Sequence, residues 1–507
     1  MATAKRLCAL LLALAMALLL CSCWEEEETD EFWNEALPDE QTEESSETRI
    51  SAFALPYLQN QTLDPVTCID GVQQTVGALL YEGLFALDEH FAPQKVLCSD
   101  YVYDAQKRTY TFYLRDGVTF SDGSALSASD VLAVYRRAAA SERYGARFSA
   151  VSSMRVSGEA LVITLTRDNS AFPALLDIPV VKSGSEKDLV PLGTGPYLFL
   201  TDSEGTCLIQ NTDWWGSADF PLERILLVSA RDNGTASYLL SSYDVHLLVS
   251  DLTGTDASGG VGEVDVFDTD STSLLYLGFN TRHALLSDSS VRRAMSGALD
   301  RAAIVSTLLS GHARAAQFPI SPAASFYPSG SAAAGSDYAQ ALAGAGVDGS
   351  HPKTLTLLVN EENGFKRSVA EALCRQLSTD ALNVTLKAVS WENYLLALQN
   401  GSFDLYLGET RMTADWDAAP LIGSGGALNY GGYADAEMDR LLSAFLASQT
   451  ESSAQAYFRF FAQNAPIAPI AFKSVSMQIS AGLVENASPT AANPFDHFDR
   501  WTLHLDR

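Results

Sequence analysis

From Ile50 onward the chain alternates short β-forming runs with amphipathic stretches, the pattern of a mixed α/β fold. Thr109 to Leu114, TYTFYL, is rich in β-formers and ends at Arg115-Asp116-Gly117, which predicts a strand running into a turn. Ser121-Asp122-Gly123 predicts a second turn, with the aspartate as side-chain acceptor and the glycine at positive φ. Ser127-Ala128-Ser129-Asp130 then offers N-cap oxygens to the apolar-faced VLAVYRRAAA, so the predicted order is strand, turn, strand, turn, helix. Asp288, Val291, Arg292, Ala294, Met295, Ala298 and Leu299 predict an amphipathic helix with an acid at its start, and Asp300-Arg301 after it offers a surface ion pair. WENYLLALQ predicts another helix, on which Trp391 and Tyr394 are packing residues. Phe403 to Leu407 alternates as a strand, while SLLYLGFN and PIAPIAFKSVSM are continuous apolar runs suited to buried strands, and the final WTLHLD alternates again.

The N-terminus has a different pattern. Lys5 and Arg6 precede Leu7 to Leu20, fourteen uncharged residues, whereas a spanning helix needs about 20. This predicts a secretion signal over 1–22. Leu20-Cys21-Ser22-Cys23 resembles a bacterial lipoprotein lipobox, which implies lipid modification of Cys23; Cys21 would place bulky Leu20 directly before the modified residue. Residues 24–49 hold twelve acidic residues and one arginine, too charged to bury a core. The expectation is a disordered linker spanning roughly 30 Å or more, tethering the rest outside the cytoplasm through its lipid.

The chain has 507 residues, 47% apolar and 19% charged, enough for several domains and unlike a transmembrane bundle. Its 33 basic and 62 acidic residues give a net charge of −29, and 50–507 alone carries −20, a field that repels nucleic acid. Beyond the leader, Cys68, Cys98, Cys207 and Cys374 stand singly without metal spacing and read as buried small hydrophobes, although two disulfides would suit an oxidising compartment. The seven histidines never fall at the spacing of a compact metal site, and no HExxH, GxSxG or GxGxxG is present. We therefore expect no enzyme, metal or cofactor. Gly193-Thr194-Gly195 lacks the lysine and spacing of a phosphate loop and reads as a tight turn.

Leu63-Asp64-Pro65, LLYEGLFALD at 79–88, TFYLRDGVTFSDGSALSASDV at 111–131, Gly193 to Tyr197 (GTGPY), Asn211 to Trp215 (NTDWW), LGFNTRHALLSDSSVRRAMSGALDRAAIV at 277–305, Phe403-Asp404-Leu405, NYGGYADAEMDRLL at 429–442 and PIAPI at 466–470 follow one another in a fixed order. Together they resemble the peptide/nickel class of extracytoplasmic solute-binding proteins, receptors of ATP-binding-cassette importers. The resemblance implies a two-lobed α/β fold of the periplasmic-binding-protein type, with mixed sheets, flanking helices, a hinge and an extra subdomain. Lobe one is expected over 50–278 and 475–507, its extra subdomain over about 66–190, and lobe two over 279–474. The chain would cross near Tyr276 to Thr281 and return near Phe472 to Met477.

The resemblance also implies a site. In the family the loop after the Phe403–Leu407 strand lines the solute cleft, and in peptide-binding members it carries an aspartate that pairs with the ligand's α-ammonium. Asp415-Trp416 resembles that pair, with Thr413 and Arg411 in the same segment. Asp415 lies one position further from Pro420 than in the family pattern, so either the loop has an insertion or Trp416 takes the matching place. Arg411 and Met412 stand where peptide binders commonly have glycine and tryptophan. On the opposite lobe Tyr57, Gln59 and Asn60 precede the Leu-Asp-Pro signature and suit hydrogen bonding to amides or sugars. The expected partners are a small solute, peptides or peptide-like amines first, and a permease with its ATPase, the receptor acting as a lipid-anchored monomer. A sugar or metal chelate as solute, or a surface sensor on the same fold, remains an alternative.

Overall fold

The computed structural model describes residues 50–255, 262–328 and 337–505. The predicted signal, Cys23 and the acidic linker lie outside the described residues. Fifteen strands matter here. In chain order the first eight are β1 (Ala54–Tyr57), β2 (Cys98–Asp104), β3 (Thr109–Leu114), β4 (Val151–Ser157), β5 (Ala160–Leu165), β6 (Tyr197–Asp202), β7 (Gly205–Gln210) and β8 (Arg224–Ser229). The remainder are β9 (Leu247–Ser250), β10 (Val264–Phe279), β11 (Ala313–Ala315), β12 (Lys353–Asn360), β13 (Leu382–Val389), β14 (Leu405–Arg411) and β15 (Ile467–Ser480). The fold is two-lobed and mixed α/β.

The first lobe has two four-stranded sheets, β1-β8-β7-β6 and β2-β3-β5-β4, the second wholly antiparallel. They share one core, in which Phe53, Leu55, Phe112, Leu161 and Tyr197 meet Val131 and Tyr135 from the helix Ala128–Ala139. That helix starts where Ser127 and Asp130 cap each other reciprocally, as expected from the four-residue N-cap signal. The segment before it departs from expectation: Thr119 and Ala125 make an isolated bridge, so the two turns are separated by one residue pair and not by a strand. Asp122 does fill its turn role, accepting from the Ser124 N–H at 3.0 Å beside Gly123 at φ 80°, and Lys182 pairs with it on the surface.

The second lobe centres on a sheet in the order β9-β15-β10-β14-β12-β13, with β11 added along β15. Alternation along the strands builds a core on each face. Leu275, Leu277 and Phe279 meet Leu357, Leu407 and Leu373 on one side; Leu274 and Tyr276 meet Tyr406, Phe445 and Phe472 on the other. Gly278 and Gly408 lie directly across from Tyr406 and Tyr276, and an added Cβ would meet those rings at 2.0 and 2.5 Å, so each small residue makes room for the tyrosine opposite.

β10 and β15 belong to both lobes. Met477 and Ile479 lie in the first core, whereas Ile467 and Phe472 lie in the second lobe. The two strands pair from Val264↔Ser480 to Asp270↔Ser474 and again from Leu274↔Phe472, leaving Ser271, Thr272 and Ser273 against the single residue Lys473. This bulge is held by the Ser271 hydroxyl donating to the Lys473 carbonyl at 2.5 Å.

Helix Ser289–Gly297 is capped by Asp288, as its sequence predicts. Its Arg292 is buried and donates to the carbonyls of Leu286, Ser287, Asn464 and Ala465, which ties the helix to the start of β15. Arg301 departs from expectation: in place of a surface ion pair it donates to the carbonyls of Ser296, Leu299, Ala316 and Pro469, while Asp300 caps the following turn through the Ala303 N–H. The four cysteines beyond the leader are buried and unpaired. Among the described residues no helix is long and apolar enough to cross a membrane.

Three distant motifs meet at Glu82. Its carboxylate accepts from the Trp215 Nε1–H (2.8 Å), the Thr194 hydroxyl (2.9 Å) and the Trp214 Nε1–H (3.2 Å), and the Arg115 guanidinium lies 4.6 Å over the Trp215 ring. The Gly193-Thr194-Gly195 segment, expected to be a tight turn, does not turn there, and neither glycine has a positive φ. A Cβ there would stand 2.1 Å from the Leu80 carbonyl oxygen and 2.5 Å from its carbon, so the glycines let two backbones touch. Burial pushes the Glu82 carboxyl up to about 7 against the opposing pull of its three donors and Arg115. At Glu82 the folded protein therefore keeps a proton that the unfolded chain releases between about pH 4.5 and 7, and this residue's contribution to stability falls as pH rises through that window. Urea denaturation should show wild type losing up to about 3 kcal/mol across this range relative to Glu82→Gln, which has nothing to titrate there; parallel pH profiles would remove Glu82 as the cause.

Candidate functional site

The loop of interest leaves β14 at Arg411, which pairs with Ser273 at the edge of the bulge, and the Met412 N–H donates to the Thr272 carbonyl at 2.8 Å. The strand crossing therefore fixes where the loop begins. Arg411 is exposed. Asp415 is buried, only 3% exposed, and its carboxylate is engaged: the Thr413 hydroxyl donates to Oδ1 at 2.5 Å and the Asn169 amide to Oδ2 at 2.7 Å. Burial, then the neighbouring charge of Asp417, raise its pKa above the ordinary carboxylate value.

Asn169 comes from the segment after β5, 246 residues away, and does not act alone. Arg167 pairs with Asp417, and the Ser170 N–H donates to the Leu446 carbonyl at 2.9 Å. Trp416 adopts a left-handed backbone, φ 60°, and so does Phe91, φ 64°. Their rings meet edge to face at 5.0 Å, with Phe472 5.8 Å from Trp416 on its other flank. Aromatic packing and hydrogen bonds across this seam hold two conformations that bulky residues otherwise avoid. A cavity of about 350 Å³ opens beside it, lined by Arg167, Asp417, Pro420, Gly426, Asp439 and Leu442.

Thr413, Asp415 and Trp416 are thus brought together. Tyr57 belongs to another set, at the end of β1, where its hydroxyl donates to Thr206 Oγ1 at 3.3 Å and its ring faces Phe199. Gln59 and Asn60 are exposed on the next turn. That turn is held from below by Gln73, whose side chain accepts from the Leu58 N–H and donates to the Leu58 and Gln61 carbonyls. No local pattern marks this support beyond a glutamine on an apolar helix face.

A second polar group sits at the crossing itself. Lys473, with 4% of its side chain exposed, stands opposite the β10 bulge and donates to Asp251 Oδ2 at 2.5 Å and to Glu409 Oε1 at 3.2 Å. The other oxygen of Glu409 is 2.9 Å from Lys366 Nζ. Asp251 is held in its turn by the N–H and hydroxyl of Thr253, whose carbonyl accepts from Asn363, the N-cap of the helix Gly364–Leu377. Two cations and two anions from both sides of the bulge therefore close on one another. The one clue in the sequence was a lysine inside the apolar run PIAPIAFKSVSM.

Comparison with known proteins bears on this geometry. The family model described as bacterial extracellular solute-binding proteins, family 5 Middle, matches residues 92–428. The glutathione-binding protein GsiB of Escherichia coli K12 is 25% identical over 284 residues, 52% of this chain and 55% of that protein, and its Salmonella typhimurium counterpart is 26% identical over 281. The chain spans about half the length of the curated relatives it matches. Among solved structures, the oligopeptide-binding protein AppA of Bacillus subtilis, in complex with a nonapeptide, covers 90% of this chain and 100% of its own at 20% identity and a TM-score of 0.62. The substrate-binding protein CtaP of Listeria monocytogenes covers 90% and 99% at 19% identity and a TM-score of 0.71. NikA of Staphylococcus aureus, in complex with Ni(L-His)2, covers 90% and 100% at 18% and 0.60. The likeness to these structures gives the fold, and the match over two-thirds of the sequence gives the lineage: the chain belongs to the bacterial extracellular solute-binding proteins of family 5.

Proposed function

We propose that this protein is the receptor of an ATP-binding-cassette importer, holding a peptide or peptide-like amine between its lobes and delivering it to a permease and ATPase without chemical change. One observation carries the reading. The two strands that run through both lobes break register at Ser271–Ser273, and charged groups from both sides of that break converge there. A bulge on paired strands is a place where one lobe can rotate on the other with little loss of packing, and a solute that contacts both lobes then shifts the population toward closure. The proposed lobes are 50–278 with 475–507, including a subdomain over about 66–190, and 279–474.

The glutathione-binding relatives and the nonapeptide complex support a peptide-like solute. In this reading Asp415 accepts the solute's ammonium by exchange for the Asn169 amide, since a buried carboxylate holds a cation more strongly than it holds a neutral amide. Thr413 orients the carboxylate; Trp416, Arg411, Tyr57, Gln59 and Asn60 complete the proposed contacts. Cys23 carries a lipid that keeps the monomer at the outer face of the membrane.

The test is mass spectrometry of whatever is released on denaturing purified 50–507. A peptide series with free amines is the expected result; a single sugar or metal chelate would keep the receptor and discard the peptide. Asp415→Ala should weaken binding of a free-amine peptide at least tenfold and leave its N-acetylated form unchanged by calorimetry, whereas equal loss for both would argue against an ammonium contact. Cys23→Ala should move the full chain from the membrane fraction to the soluble one.

A further inference from the structure

We propose that the segment Arg167–Ser170 is a latch that holds the two lobes together in the absence of any solute, so that the ligand-free molecule rests closed. The latch stands apart from the receptor reading, on which only its consequence for loading rests.

Its two ends are braced before they meet. On the first-lobe side the Asn169 carbonyl accepts from the Tyr110 hydroxyl at 2.8 Å and its side-chain oxygen from the Ala171 N–H at 3.1 Å, which leaves the amide nitrogen to face the other lobe. On the second-lobe side the Thr413 hydroxyl holds one carboxylate oxygen of Asp415, and the Gln449 amide donates to the Asp415 carbonyl at 2.7 Å, so the oxygen that meets Asn169 is already in place. Asn169 and Asp415 are 2% and 3% exposed, and a carboxylate so covered is costly without a donor. Around this bond Arg167 pairs with Asp417, and both the N–H and the hydroxyl of Ser170 donate to the Leu446 carbonyl. Three of four consecutive residues thus reach the other lobe.

A second first-lobe segment closes the same seam. The short hairpin in which Phe85–Leu87 pairs with Pro93–Lys95 sends Leu87 and Phe91 into the cluster of Trp416, Phe445 and Phe472, and Ala174 joins them; Phe85, Phe172 and Leu175, close by in the chain, stay in the first-lobe core. His90, beside Phe91, donates from Nδ1 to the Ala323 carbonyl at 2.9 Å. Opening the lobes would return these apolar side chains to water and strip Asp415 of its donor, a cost that is present whether or not a solute is. In a receptor that closes only on its solute, the solute supplies the contacts across the cleft; here the protein's own side chains make them. A solute ammonium that takes Asp415 must then displace Asn169. Loading passes through an unlatched form, and the apparent affinity is lowered by the fraction of molecules in it.

Asn169→Asp tests the latch, because aspartate keeps the acceptor for the Ala171 N–H and replaces only the donor, setting two carboxylates face to face. The full chain, freed of small molecules by unfolding and refolding, is followed at pH 8 by hydrogen exchange with mass spectrometry and by small-angle scattering. In wild type, 167–171 and 412–418 should exchange about tenfold or more slower than the exposed turn 105–108. Asn169→Asp should bring both segments close to the rate of that turn and increase the radius of gyration, while 109–114 and 160–165 in the first-lobe core stay protected, which separates opening from unfolding. Asn169→Asp/Asp415→Asn sets a carboxylate against an amide again with the ends exchanged, and should restore both readouts. If Asn169→Asp loses protection throughout, Arg167→Gln, which alters only a partly exposed end of the seam, replaces it with the same expected opening at smaller extent. Wild-type seam segments that exchange as fast as 105–108, fast exchange in the variant without a larger radius, or a double variant that stays open would each overturn the latch. The receptor reading is decided separately, by what denaturation of the purified protein releases.

Discussion

The pairing of β10 with β15 is the constraint on which the rest of this molecule depends. Each strand is long enough to serve two cores, and each changes character on the way. The first half of β10, VDVFDTDS, is polar and alternates between exposed and covered positions, whereas its second half, SLLYLGF, is buried almost throughout. One side therefore joins a sheet with a solvated face and the other a sheet covered by helices on both faces. Between them the register break at Ser271–Ser273 separates two well-packed stretches. The 412–417 loop, the Lys473 group and the β9 turn all lie beside that point, so their placement follows from a backbone irregularity and not from any single side chain.

Much of the scaffold was legible locally. Caps at Ser127 and Asp288, the strand at Thr109–Leu114 and the two long apolar runs follow from propensity and spacing within a few residues, and the structure places them accordingly. What escaped local reading involves partners far apart in the chain. Glu82 takes its donors from positions 194, 214 and 215, so the GTGPY and NTDWW motifs, separate in the chain, are halves of one anchor. Arg301 follows an aspartate and looks like half of a surface pair; only the approach of β15 and of the Ala316 segment shows that its guanidinium serves four carbonyls.

The site was legible in part and for the same reason. Asp415 was nominated by the family resemblance of its loop, but its engagement by Asn169 depends on how the first-lobe sheet β2-β3-β5-β4 meets the second lobe, which no spacing encodes. Lys473 stood in plain view in an apolar strand. A charge at such a position demands buried partners, and neither Asp251 nor Glu409 carries any mark in the sequence that would nominate it.

The four solitary cysteines have a practical meaning for experiments on lobe movement. Burial raises all four thiols, those of Cys98 and Cys374 to about 11, so at neutral pH roughly one part in ten thousand of these two is the reactive thiolate. These four thiols, the cysteines of residues 50–507, are thus nearly silent toward maleimides and mild oxidants as long as the protein stays folded. A single cysteine introduced on each lobe would be labelled selectively, and a spectroscopic ruler could be attached across the cleft without first stripping the protein of its own sulfur.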